Sequence, residues 1–96
     1  MVYFTVRCDP APGKSDELDR FLTETAKRFW TSQPGVTEFH VYGDALMGWP
    51  ERTIMIAVKD LGALQRILDT TERQKLRKEF LGHVTRTEAQ IQEVLV

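Results

Sequence analysis

The chain's 96 residues, 42% apolar and 28% charged, have the composition of one globular domain and are too few for two cores. Thirteen basic and fourteen acidic side chains give a formal charge of −1, without the clustered positive footprint that a nucleic-acid backbone requires. The lone cysteine, Cys8, excludes an internal disulfide framework and a multi-cysteine zinc site, and no apolar run is long enough to span a bilayer. With no leader pattern at the N-terminus, the cytoplasm is the expected location.

Val2 to Arg7 alternates strictly, with Val2, Phe4 and Val6 on one side and Tyr3, Thr5 and Arg7 on the other, which is the period of a strand. Asp9-Pro10-Ala11-Pro12-Gly13 is expected to end it, since proline removes ladder donors. A helix follows from Ser15, a capping hydroxyl, with Asp16 and Glu17 at its positive end and Leu18, Phe21, Leu22, Ala26 and Phe29 along one stripe. Trp30 falls just past that stripe and is expected to cover the helix end. Pro34-Gly35 closes the segment.

Val36 to Tyr42 alternates again, opposing Phe39 and Val41 to Glu38, His40 and Tyr42. A loop carries Gly43-Asp44 and Gly48-Trp49-Pro50, and its apolar stretch from Ala45 to Pro50 is expected at an interface or a pocket rim. Thr53 to Lys59 is the most hydrophobic segment and predicts a strand covered on both faces. Asp60 caps a second helix carrying Leu61, Leu64, Ile67 and Leu68. Thr71 and Gln74 fit a capping box for a third, with Leu76, Phe80 and Leu81 apolar and Gly82 ending it. The basic positions Arg73, Lys75, Arg77 and Lys78, interleaved with Glu72 and Glu79, read as a solvated helix face. Ala89 to Val96 reads as a last strand.

The order is β-α-β-β-α-β, an α+β, ferredoxin-like arrangement with an antiparallel sheet, in a single domain over residues 1–96. Phe4, Val6, Phe39 and Val41 are the natural partners of the helices. Parity then places Tyr3, Thr5, Arg7, Glu38, His40 and Tyr42 on the opposite face, to which Ile54, Ile56 and Val58 of the third strand are also assigned. That face is too apolar for open solvent and too polar for a plain core. A second subunit closing over it would enclose a lined cavity.

Pro12-Gly13-Lys14 before the first helix, Pro34-Gly35-Val36 leading into Phe39-His40-Val41-Tyr42, the segment from Ile54 to Leu68 and the broken helix from Thr71 to Leu81 together resemble the antibiotic-biosynthesis-monooxygenase-like (ABM) family of dimeric α/β barrels. The resemblance in pattern covers nearly the whole chain. It implies a homodimer with two sheets face to face, helices outside, and a pocket between sheet and helices or within each barrel half. It also implies activities ranging from cofactor-free oxygenation of aromatic or quinone-like compounds to haem degradation and isomerisation. The haem-degrading branch relies on an asparagine, a tryptophan and a helix histidine where this sequence has Arg7, Val58 and the basic stretch around Arg77. The oxygenases also often carry tryptophan at the Val58 position. Fold alone does not carry function across.

Among candidate catalytic residues, His40 exchanges protons near neutral pH, while Tyr42 and Arg7 could hold a substrate's oxyanion or carboxylate. Tyr3, Glu38, Ile54, Ile56, Val58 and Trp49 are the candidate substrate contacts. Packing and interface roles are the competing readings for each. His83, beside Gly82, is expected to cap a helix or face water, and no second histidine stands at metal-ligand spacing from His40. No metal and no cofactor is expected. The expected partners are a second copy of the chain and a small molecule, without nucleic acid or membrane. Three functions follow: a cofactor-independent monooxygenase or isomerase-like enzyme acting on a small aromatic or carbonyl compound, a non-enzymatic metabolite-binding or structural dimer module, and a regulatory amino-acid-binding domain, which the broken second helix suits less well.

Overall fold

The computed structural model describes residues 1–96. The chain runs through β1 (Val2–Pro10), a continuous helix over residues 15–31 (α1), β2 (Val36–Gly43), β3 (Arg52–Val58), α2 (Leu61–Leu68), α3 (Thr71–Leu81) and β4 (Val84–Glu93). The strands form one antiparallel sheet in the order β2-β3-β1-β4, the ferredoxin-like α+β arrangement expected from the element order. No helix is long and apolar enough to cross a membrane.

The middle of α1, Phe21–Ala26, is a π-helical turn between two α-helical stretches. A π-turn widens the spiral, so residues four apart stay on one face. Leu18, Leu22, Ala26 and Trp30 are accordingly all buried, and Trp30 joins the core where the 3.6-residue reading had favoured Phe29. Trp30 packs on Phe4 with ring centroids 5.8 Å apart and receives Phe29 edge-on at 5.3 Å.

Local chemistry sets the element ends. The Asp60 carboxylate accepts from the Ala63 amide at 2.7 Å and caps α2. At α3 the cap is Thr70, whose hydroxyl accepts from the Arg73 amide at 3.2 Å, so the helix begins one residue earlier than a Thr71 cap implies. Ser15 is the first residue of α1 rather than its cap, and Lys14 before it makes no side-chain capping bond. Gly35 sits at φ +89°, and a Cβ there would come within 3.1 Å of the Ala63 Cβ, so glycine lets the turn into β2 pass under α2.

Two strand boundaries differ from expectation. β1 continues through Pro10, because its pairing with β3 ends at Cys8 and the register irregularity at Asp9/Pro10 accommodates the missing donor. β4 occupies Val84–Glu93, not Ala89 to Val96. Residues 85–88 are polar at every position and only Ala89 and Ile91 alternate with polar neighbours, along a sheet edge with open faces, which diluted the pattern.

The register also corrects one placement. Ile54, Ile56 and Val58 stand opposite Val6, Phe4 and Val2 on one side and opposite Val41, Phe39 and Val36 on the other. Directly paired residues share a face, so all three point toward the helices and are at most 4% exposed. The free face receives Thr53, Met55 and Ala57 instead. A segment apolar at every position gives no parity signal, which is why the two sets were exchanged. The core gathers Val2, Phe4, Ile54, Ile56 and Val58 from the sheet, Leu18 and Leu22 from α1, and Leu64 and Ile67 from α2.

Candidate functional site

On the free face the register aligns three rows across the sheet. They are Glu38–Ala57–Tyr3–Gln92, His40–Met55–Thr5–Gln90 and Tyr42–Thr53–Arg7–Glu88. Tyr3, Arg7, Glu38, His40 and Tyr42 are therefore on one surface, as strand parity predicts. His40 stacks on Tyr42 with centroids 5.9 Å apart, and its Nε2 lies 3.4 Å from Glu38 Oε1. The His40 and Glu38 side chains are 46% and 49% exposed, so this is an open pair with little electrostatic force. Arg7 stands in register with Glu88, but the ion pair of Glu88 runs to Arg86 at 3.9 Å, and Glu38 is two rows from Arg7. The Thr5 hydroxyl donates to Gln92 Oε1 at 3.0 Å.

Trp49 borders this surface, because Arg86, in register with Asp9 and ion-paired with Glu88, lies on the same face. Its ring carries the Arg86 guanidinium 3.8 Å above its centre, at the end of the sheet where β4 begins. The preceding loop is organised by Asp44, whose carboxylate accepts from the amides of Leu46 and Gly48, leaving Leu46 and Met47 at 91% and 76% exposure.

The concave volume lies on the other side of the sheet. A cavity of about 170 Å³ opens between the sheet and the pair α1 and α3. Its floor is Phe4, Val6, Ile54 and Ile56, with Thr87 and Ala89 from β4. Phe21, Leu22, Ala26 and Trp30 of α1 form one wall, and Arg73, Leu76, Arg77, Phe80 and Leu81 of α3 the other. Twelve of its fifteen lining residues are hydrophobic. Of the candidate site residues, Ile54 and Ile56 reach it. Val58 is core beside it, and Tyr3, Arg7, Glu38, His40, Tyr42 and Trp49 lie outside it.

Composition had read the α3 arginines as solvated. Yet residues 73, 76, 77 and 80 share one helical face, so Arg73 and Arg77 interleave with Leu76 and Phe80 in the stripe aimed at the sheet. That spacing was the signal available for them. Arg73 is half-buried, with its guanidinium carbon 5.9 Å from the centre of the Phe4 ring. Burial, and next the neighbouring Arg77 charge, holds its proton affinity below the usual arginine range.

Two further polar features lie apart from the cavity. Arg52 Nε and Nη2 donate to the two Asp19 carboxylate oxygens at 2.7 and 3.0 Å. His83 is half-buried, 5.3 Å from the Phe21 ring, and its Nδ1 has no protein partner. No three His, Cys, Asp or Glu side chains converge as a metal-holding group.

No protein-family model and no curated protein matches the sequence. Solved structures do match its shape. SnoaB of Streptomyces nogalater, described as a cofactor-independent oxygenase, superposes with a TM-score of 0.79 at 20% identity, covering 97% of this chain and 91% of that one. A Deinococcus radiodurans protein assigned to the antibiotic biosynthesis monooxygenases gives 0.80 at 17% identity, over 98% and 92% of the two chains. A Mesorhizobium loti protein, described as a DABB family member with a ferredoxin-like fold, gives 0.80 at 15% identity, over 99% and 97%. The chain has the ferredoxin-like fold shared by these proteins, and its resemblance to the antibiotic-biosynthesis-monooxygenase-like structures holds from end to end of that fold.

Proposed function

We propose that the chain binds a small ring-bearing molecule in the cavity between sheet and helices, and that its free sheet face packs on a second copy. The observation that carries this reading is the cavity itself: apolar floor and walls with two guanidinium groups on one side. Its volume of about 170 Å³ is close to the ~150 Å³ of an engineered apolar cavity that takes up benzene. Exposed aromatic surface supports the second half, since Tyr42 stays 52% exposed beside His40 and the half-buried Met55. Two such faces closed together make the dimeric α/β barrel implied by the sequence resemblance.

A second reading, cofactor-independent oxygenation of the bound molecule, is favoured by the likeness to SnoaB together with the arginine pair. A substrate with an acidic CH₂ group would ionise to an enolate, its proton leaving to water at the open side and its charge resting against Arg73. Such a substrate supplies the electrons itself. The methylene carbon becomes a carbonyl, one oxygen atom of O₂ enters it, and the other leaves as water. Catalysis by His40, Tyr42 and Arg7 would instead place the reaction on the free face. The cavity reading is preferred because the apolar volume that would hold a ring lies between sheet and helices, whereas His40 and Tyr42 stand on an open face.

Oxygen uptake with ring-bearing ketones and phenols tests these readings in the intact protein. Uptake kept in His40→Ala and lost in Arg73→Gln supports turnover in the cavity. Uptake lost in His40→Ala and kept in Arg73→Gln moves the reaction to the sheet face. Native mass spectrometry tests the binding reading, which expects a dimer mass and a retained small molecule. A bare monomer at micromolar concentration would count against the paired sheets.

A further inference from the structure

We infer that the cavity selects a single-ring carboxylate, its ring among Phe4, Leu76 and Phe80 and its carboxylate between Arg73 and Arg77. This inference rests on the cavity's being a ligand site and adds the chemical class of the ligand. The first ground is composition: the lining includes two arginines and no acidic residue. The second is the absence of protein counter-charge. The ion pairs within 4.0 Å join His40 to Glu38, Arg52 to Asp19 and Arg86 to Glu88, and neither Arg73 nor Arg77 takes part in one.

The third ground is placement. Arg73 and Arg77 are four apart on α3, adjacent on one face, where like charges repel. Solvation relieves this for the exposed Arg77 but less for the half-buried Arg73, which lies over the Phe4 ring. A carboxylate inserted between them removes the repulsion and gives Arg73 a bidentate partner matching its planar fork. A single negative charge suits this rim, because the apolar surroundings penalise a more heavily charged group. The cavity's about 170 Å³ leaves room for one ring behind that charge.

Binding follows by amide NMR and calorimetry on the intact wild-type protein at low salt, with benzoate, its neutral isostere benzamide, and toluene as the uncharged ring. Benzoate is expected to bind at least about tenfold more tightly than benzamide, to shift amides of α3 and β1, and to weaken as salt is added. Arg73→Gln should remove most of that preference and Arg77→Gln part of it, while Arg73→Lys keeps a fraction; unchanged amide spectra elsewhere establish that each variant is folded. Toluene and benzamide binding as tightly as benzoate would overturn the carboxylate inference and leave the ligand site standing. Failure of all three probes to shift any cavity residue would overturn the ligand site and this inference together.

Discussion

Arg52 on β3 holds Asp19 on α1 through two parallel hydrogen bonds, of 2.7 and 3.0 Å, and so fixes the first helix to the end of the sheet where β3 begins. The same guanidinium donates to the Glu51 carbonyl at 2.8 Å, which sets its orientation. The hydrogen bond to Asp19 is the main reason the Arg52 charge is held more firmly than usual. The side chains are 22% and 41% exposed, so solvent screens part of the attraction. Asp19→Asn and Arg52→Met should each lower unfolding free energy by about 1 kcal/mol. Denaturant titration of both single variants and the double variant would show a positive coupling energy, and strict additivity would mean that the pair contributes nothing.

Cys8 sits at the same end of the sheet and is fully buried. Burial, then the charge of Asp9, pushes its thiol from 9.0 up to about 12. At pH 8 this leaves roughly a thousandfold less thiolate than a free cysteine has. Native protein should therefore resist thiol reagents at that pH and react at the ordinary rate once unfolded. Because the folded value is raised and the protonated form is neutral, the associated stability is complete below pH 9 and declines as pH rises toward about 12. Cys8→Ala should flatten that alkaline decline relative to wild type in thermal melts, and identical slopes would remove Cys8 as its source.

The free sheet face supplies a prediction about association. Met55 is half-buried between His40 and Thr5 in the middle row. A charge there would meet its own copy or other apolar surface across paired sheets, while costing the lone protomer little. Met55→Asp should convert the proposed dimer to monomer in light-scattering chromatography with the circular dichroism spectrum unchanged. A variant dimer of undiminished stability would show that this face is not the contact.

The element order was legible from the succession of periods and turns, and the two-sided character of the sheet because alternation in β1 and β2 assigns Phe4 and Phe39 to one face and Tyr3 and His40 to the other. β3 carried no such signal, since Ile54 through Val58 is apolar on both faces, and the wrong parity moved three side chains from core to site. The cavity was harder to see. It arises where α3 stands off the sheet, and its arginines resemble solvated charges unless their spacing is read against Leu76 and Phe80. Trp30 was hidden by the π-turn, whose wider spiral no fixed period anticipates.

The cavity's open side offers the last prediction. Ala89 on β4 lines the cavity and is itself exposed, so a larger side chain there can extend over the apolar floor without displacing the core. Ala89→Phe should occupy part of the ring space and bury additional apolar surface against Leu76 and Phe80. Stability should hold or rise by up to about 1 kcal/mol, while affinity for a ring-sized ligand falls at least about tenfold. The two readouts together separate filling from damage: a less stable variant has been overpacked, whereas a stable variant that still binds the ring would place the ligand elsewhere. Leu64→Ala supplies the contrast, since Leu64 is fully buried under α2 and outside the cavity lining. It should cost about 2–5 kcal/mol of stability and leave ring affinity in the remaining folded protein unchanged.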